Sequence, residues 1–319
     1  MLEDKQDFFI SGYMTEMMCY MGQQTVYEEA AAIIEKLSGV IVNAKQIERI
    51  CHYYGQKLED KQQEDIKSQT QPSAIYPKDE AYYIMMDGGM LLTREEGWKE
   101  VKLCRIFSAK ARVTISKNRN YISHSNYIGH LGQHKDFLAK VERHTDFIKQ
   151  KIIVADGAKW IWKWADDLYP ESVQVLDFFH AKEHLCQFAE QQFKDQCERG
   201  QWIDKQCLYL LNDRVEQVIT DLKGLNTTSG QTDKMKSALI QYYQGNSKRM
   251  KYKTFREKGW LIGSGAIEAA HRHVIQQRMK LSGQRWTLQG AQQLINLRTA
   301  YKSDSWNKVQ CLIHLKIAA

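Results

Sequence analysis

Residues Lys151 to His180 read KIIVADGAKWIWKWADDLYPESVQVLDFFH, and this stretch decides the fold class. It opens on an apolar run, Ile152-Ile153-Val154-Ala155, that ends in Asp156-Gly157. A tryptophan-rich helical segment follows, and then an alternating run, Val173-Gln174-Val175-Leu176, that ends in Asp177. That is a βαβ unit. A short β-branched run without polar interruption is what a strand covered on both faces looks like, so two carboxylates are expected at the carboxyl ends of neighbouring central strands. Ligand sites in open α/β sheets collect there. A carboxylate at the edge of an apolar layer is costly unless water, a partner or a metal serves it. The plainer alternative is that Asp156-Gly157 turns the chain and caps the next helix.

Upstream, Ala81 to Met86 is a strand that also ends in Asp-Gly, at Asp87-Gly88-Gly89. Trp98 to Lys110 alternates through Val101, Leu103 and Ile106, and Ala111 to Ser123 offers a third, weaker run. Leu131 to Gln150 has the spacing of a helix, with Leu138, Val141, Thr145 and Ile148 on one face. His130 and His134 are one turn apart but lack a third ligand, so a plain histidine pair is expected. Three strands, a helix, and then β-α-β is the element order of a ribonuclease-H-like mixed α/β sheet. There the first strand is central and lies beside the fourth, which brings Asp87 to Asp156. Two such carboxylates repel each other, and Mg²⁺, which prefers carboxylate oxygens and keeps several waters, makes the pair tolerable.

A third acid is expected on a helix. Gly263-Ser264-Gly265 opens one, Ile267, Ala270, Val274 and Arg278 share a face, and Glu268 falls in its first turn. The local alternative is an ordinary i,i+4 pair with Arg272.

The 319 residues carry 45 Lys and Arg against 38 Asp and Glu, a net charge of +7. The charge is uneven: residues 1–80 balance at −6 and the remainder at +13. A basic balance of that size favours a polyanion such as nucleic acid. Six of the basic residues, Lys248, Arg249, Lys251, Lys253, Arg256 and Lys258, fall in one segment with Tyr252 and Phe255 interleaved, which predicts phosphate contact and base stacking. Seven scattered cysteines without a CxxC pair argue against a disulfide framework or zinc knuckle and fit a reducing cytoplasm. No apolar run reaches membrane-spanning length, and the acidic Met1-Leu2-Glu3-Asp4 is not a secretory leader.

The expected organisation is a small all-helical N-terminal region over 1–59, a polar linker over 60–79, a ribonuclease-H-like domain over 80–180 and 259–300, a helical insertion over 181–258, and a C-terminal tail over 301–319. Within the first region, Ser38-Gly39 separates two helical runs and Asn43 is a plausible N-cap. That pair is either a helix-turn-helix or a plain helical hairpin, and its acidic balance disfavours it as the main DNA clamp.

Residues 81–300 resemble a bacterial insertion-sequence transposase of the DDE class, most similar to the ISKra group. The resemblance rests on Met86-Asp87-Gly88-Gly89 with Gly97-Trp98-Lys99-Glu100-Val101-Lys102, on Ala155-Asp156-Gly157-Ala158 with Trp160-Ile161-Trp162, and on Asp177-Phe178-Phe179-His180-Ala181. It rests further on Gly263-Ser264-Gly265-Ala266-Ile267-Glu268 leading to Arg278-Met279-Lys280, Gly283 and Arg285-Trp286. It implies a catalytic, metal-binding triad of Asp87, Asp156 and Glu268 holding two Mg²⁺ ions, with Mn²⁺ able to substitute. Asp177 and His180 become an accessory DxxH signature, either fixing the scissile strand or only pinning the strand to the next helix. Arg278, Lys280 and Arg285 join the basic segment as DNA contacts. The implied activity is nicking of element ends and strand transfer into target DNA, by a homodimer on double-stranded DNA in the cytoplasm at the nucleoid. The alternative is a catalytically silent or truncated DNA-binding relic, since the front end is short for that group.

Overall fold

The computed structural model describes residues 10–116 and 119–314; Met1-Leu2-Glu3-Asp4, Asn118 and residues 315–319 of the expected tail lie outside them. Two compact units divide the chain. The first takes residues 1–77, 88–148 and 267–319, and the second takes 78–87 and 149–266.

The first unit begins with α1 (Gly12–Gln24), α2 (Tyr27–Ser38) and α3 (Ala44–Lys67). Gly39 ends α2 in the left-handed conformation at φ 73°, where a Cβ would be strained. Asn43 opens α3 in a capping box with Gln46, each side chain taking the other's backbone N–H. Strand β1 (Ala81–Thr93) starts in the second unit and ends in the first. Then come β2 (Gly97–Ser108), the separate hairpin of β3 (Arg112–Ser116) and β4 (Arg119–Ile122), β5 (Asn126–Leu131) and α4 (His134–Thr145).

The second unit continues with β6 (Gln150–Ala155), α5 (Lys159–Leu168) and β7 (Val173–Leu176). Five helices follow: α6 (Phe178–Gln192), α7 (Gln196–Leu211), α8 (Val215–Gly224), α9 (Gly230–Asn246) and α10 (Tyr252–Glu257). Helix α11 (Gly265–Ala270) runs into a π-helical turn (His271–Gln276) and a last turn, α12 (Gln277–Met279). The chain closes with α13 (Leu288–Lys302) and α14 (Asn307–His314).

One mixed five-stranded sheet has the order β5-β2-β1-β6-β7. Its β1–β6 and β6–β7 pairs are parallel and its β2–β5 pair is antiparallel. Two strands depart from the sequence expectation. The third strand of the sheet is β5, not the 111–123 run, which forms the detached hairpin; Gly129 in the middle of β5 weakened its strand signal. The strand carrying Asp87 does not stop there, because β1 runs on through Gly88-Gly89 to Thr93.

The helical core of the first unit joins distant parts of the sequence. Met18, Ile34, Ile47, Ile50 and Cys51 from α1–α3 pack with Leu297 of α13 and with Val309 and Ile313 of α14. The expected linker and tail are therefore corrected: α3 continues to Lys67 because Leu58 keeps its apolar stripe in this core, and the chain's end folds back as α14 onto the first helices.

Two buried arginines fasten this core. Arg278 Nε donates to Gly22 O at 3.1 Å, while Arg298 donates to Gln23 O and to the carbonyls of His273 and Val274 in the π turn. The last carbonyls of a helix have no partner within it. At α1 two guanidiniums supply partners, and a cation there also complements the helix dipole.

Helices α3 and α13 meet at Gly55, where a Cβ would lie 2.3 Å from the Gln293 carbonyl oxygen. Backbone cannot swing aside as a side chain can. Gly55→Ala should therefore lower stability by about 1–3 kcal/mol, although the same change in an open helix interior gains up to about 1 kcal/mol. Gly200→Ala in α7, where nothing lies within 4 Å, is the matched control and should stabilise. Urea denaturation of both variants reads the two opposite signs.

Candidate active site at the strand ends

The register of the parallel strands places the acids. Met85 of β1 pairs with Val154 of β6, and Asp87 and Asp156 each lie two residues further on. Adjacent strands run about 5 Å apart, and matched positions point to the same face. Ala155 pairs with Leu176 of β7, and Asp177 follows, its N–H donating to Ala155 O at 2.8 Å. The second unit thus sets Asp87, Asp156 and Asp177 along three neighbouring strands.

These carboxylates differ in how they are served. Asp177 is fully buried. One of its oxygens accepts from the N–H groups of Phe179 and His180, capping α6, and the other accepts from the N–H of Ser264 at 2.6 Å and from its hydroxyl. Phe178 N–H also donates to Ile262 O at 2.9 Å, so the segment just before α11 is stitched to the end of β7. Asp156 is half-buried, and its Oδ1 accepts from Ala158 N at 3.0 Å, the turn-and-cap role. Its Oδ2 has no hydrogen-bond partner among the described residues. Asp87 is half-buried in β1.

The His180 ring makes no hydrogen bond to Asp177 and has Nδ1 3.5 Å from Glu183. Yet one ring nitrogen, one Asp177 oxygen and one Glu268 oxygen lie within 4.8 Å of one another, a grouping that could hold a cation. Glu268 sits exposed in the first turn of α11, whose opening Gly263-Ser264-Gly265 the sequence predicted. The expected face of Ile267, Ala270, Val274 and Arg278 is buried, and Glu268 belongs to the first unit, two residues past the segment that ends the second. His130 lies on β5 rather than on a helix. Burial, then Lys140, lowers its pKa to about 4, so it is neutral near pH 7.

Sequence reasoning missed Tyr242 of α9. Its ring lies against the turn after Asp156, where a Cβ on Gly157 would meet Tyr242 Cε2 at 2.5 Å. Its hydroxyl is buried without a hydrogen-bond partner, and burial, then Asp156 and Asp177, raise its pKa. The Asp-Gly dipeptide hinted that something approaches the backbone there, but not what.

The basic segment divides. Lys248, Lys251, Lys253, Arg256 and Lys258 are exposed, and Lys248, Lys251 and Lys258 line a shallow groove with Trp260. Arg249 is corrected as a DNA contact: it is buried, its Nη2 is 2.7 Å from Asp166, and its guanidinium lies 4.6 Å over the Trp162 ring. Burial opposes charge on Asp166, but hydrogen bonds from Gln174, Lys248 and Arg249 outweigh it and hold its pKa below the usual value. Arg278 is corrected likewise, being buried between the Tyr27 and Trp286 rings, whereas Lys280 and Arg285 are exposed. Tyr252 and Phe255 are buried, so they fill the core instead of stacking on bases.

Residues 22–311 match the model of the uncharacterised protein family UPF0236. The chain belongs to that family. A relative described as "UPF0236 protein in vanSb 3'region", from Streptococcus gallolyticus, is 24% identical over 315 residues, 95% of this chain. The chain spans 65% of that relative's length. The UPF0236 match covers the strand ends, the basic segment and α11, and both units contribute to it.

Asp177→Asn tests what the buried carboxylate does in this UPF0236 chain. An amide keeps one acceptor oxygen and turns the other position into a donor facing N–H groups, so stability should fall by about 2–4 kcal/mol. Urea denaturation with an unchanged midpoint would refute the four-donor role.

Proposed function

We propose that this protein is a DDE-class DNA transposase with a ribonuclease-H-like core, nicking insertion-sequence ends and transferring them into target DNA. One observation carries the reading: Asp87 and Asp156 stand in matched register where two central parallel strands part. The sheet order supports it. Counting only the five strands of the sheet, the order is third, second, first, fourth, fifth, with parallel pairing on the side of the first strand away from the second.

The donor set suits a hard divalent cation. Asp87 and Asp156 offer carboxylate oxygens, and Asp156 Oδ2 has no protein partner among the described residues, which is costly unless a cation or water serves it. Asp177 groups with His180 and Glu268 within 4.8 Å but already accepts from four donors, so it would join a cation's shell only by giving one of them up. Asp87, Asp156 and Glu268 would hold two Mg²⁺ ions, with Mn²⁺ able to substitute; when bound, such ions activate a water or 3′-hydroxyl and stabilise the leaving oxygen. The chain's own contribution is placement. Asp177 fixes the start of α11 and thereby the turn that carries Glu268. The unpartnered Tyr242 hydroxyl offers a hydrogen bond at the edge of the acid site. Lys248, Lys251, Lys253, Arg256 and Lys258, with Lys280 and Arg285, hold double-stranded DNA by its phosphates, which positions it without reading sequence. Action on paired ends implies a homodimer on DNA, and a DNA substrate places the protein in the cytoplasm at the nucleoid. Among the described residues no helix is long and apolar enough to cross a membrane.

Asp156→Asn should abolish Mg²⁺-dependent nicking while leaving the melting temperature and DNA affinity intact. Nicking at the parental rate would remove Asp156 from the site. A parent chain that binds element ends yet neither nicks nor joins them in Mg²⁺ or Mn²⁺ is the silent relic instead.

The DNA path has its own measurement. Lys251→Glu with Lys253→Glu should weaken binding about equally across sequences and lower the slope of log affinity against log salt by about 0.9 for each phosphate no longer neutralised. An unchanged slope would make the segment a solvated face.

A further inference from the structure

Within the first unit, α3, the 70–73 loop, β5, α4, α13 and α14 enclose a cleft of about 470 Å³. Its apolar lining includes Leu58, Ile66, Ile128, Ala300 and Leu312, and it also gathers positive charge. Lys140 is cancelled by Glu59 at 2.6 Å. Lys61 faces Glu64 at 3.6 Å and Asp65 at 3.3 Å, and Asp65 also accepts Arg143 at 2.6 Å, which leaves Lys308 as the uncompensated cation. The ammonium of Lys308 has no ion pair or side-chain hydrogen bond among the described residues. Burial lowers its pKa, Arg143 pushes the same way, and Asp65 opposes them.

His144 adds a donor. Asn126 Nδ2 donates to Tyr76 Oη at 3.3 Å, and Tyr76 Oη lies 2.8 Å from His144 Nδ1. The phenol directs its own proton to Nδ1, which assigns the imidazole proton to Nε2, and Nε2 has no protein partner among the described residues. Burial, then Lys308 and Arg143, holds the ring's pKa at about 3, so it is a neutral donor near pH 7. An unpaired half-buried ammonium, a guanidinium and an N–H donor meeting beside an apolar wall is an arrangement that an anion with an organic body completes.

We propose that this cleft binds a small organic phosphate, its phosphate held by Lys308, Arg143 and His144 Nε2–H and its body against Leu58, Ile66 and Leu312. A phosphate monoester carries about −1.5 to −2 near pH 7, a charge that the Lys308 ammonium and the Arg143 guanidinium would share. The site is independent of the DNA chemistry proposed above, and none of its residues belongs to that machinery.

Calorimetric titration of the full chain with phenyl phosphate tests this, with inorganic phosphate beside it. Phenyl phosphate should saturate one site and bind more tightly than inorganic phosphate. Lys308→Met should weaken it about tenfold or more, the worth of one charge-assisted hydrogen bond. That variant removes an uncompensated half-buried charge, so its unliganded melting temperature should not fall. Lys234→Met, at an exposed lysine of α9, should bind as the parent does. No saturable binding at millimolar ligand, or equal affinity in Lys308→Met and parent, overturns the site. Equal affinity for the two ligands overturns the apolar seat.

Discussion

A carboxylate with no exposure and four hydrogen-bond donors is the constraint on which the second unit's strand ends depend. Asp177 terminates β7, caps α6 and grips Ser264 just ahead of α11, so three pieces of chain meet at one side chain. Taking a charge out of water costs several kcal/mol, and the site is tolerable because its oxygens find partners. Tyr83 of β1 adds a fourth piece by accepting Leu261 N–H at 3.0 Å. The 261–264 segment is thereby tied to both β1 and β7, and the first turn of α11 starts from a fixed point.

Part of the chain's positive charge belongs to the fold. Arg278 and Arg298 end α1, Arg249 bridges Asp166 and Trp162, and Lys140 neutralises Glu59. A guanidinium does this well because its donors are fixed in a plane and its face stacks on aromatic rings. The π turn after α11 follows the same pattern. Widening the helix leaves carbonyls without their usual i+4 partners, and Arg298 reaches across from α13 to those of His273 and Val274. A net charge of +7 therefore overstates what is offered to a polyanion. What is offered is the exposed set, concentrated between Lys248 and Lys258.

Local signals in the sequence carried far. The uninterrupted β-branched run of β6, the alternation of β7, the Asn43 cap and the Gly-Ser-Gly opening of α11 are written in adjacent residues, and the structure has each of them. Losses came wherever a distant segment decided the outcome. A lysine-rich run with aromatics at intervals reads as a stacking surface, but Tyr252 and Phe255 are drawn inward because α10 is amphipathic and covers a core. The polar composition after Asp60 reads as linker, yet α3 persists to Lys67, where Arg143 of α4 holds the buried Asp65 at 2.6 Å. Periodicity reports which face is apolar and is silent about what will cover it.

Asp156 and Asp177 look alike in sequence, each ending a strand of the same βαβ unit, and fold into opposite situations. The difference is in what comes next. Asp177 is followed by a helix whose first N–H groups point back at it and by the arrival of Ser264, so its oxygens are served from within the protein. Gly157 after Asp156 admits the edge of Tyr242 instead, a ring whose hydroxyl makes no hydrogen bond to the acid, and one carboxylate oxygen is left over. Burial costs a carboxylate more the fewer donors it finds. A strand-end aspartate with both oxygens served is structural whatever motif it sits in, and one with an unserved oxygen beside an in-register neighbour is where a cation would lower the energy. By that criterion Asp156 is the strand-end carboxylate with an oxygen to spare, while Asp177 would have to give up one of its four donors to join the cluster it forms with His180 and Glu268.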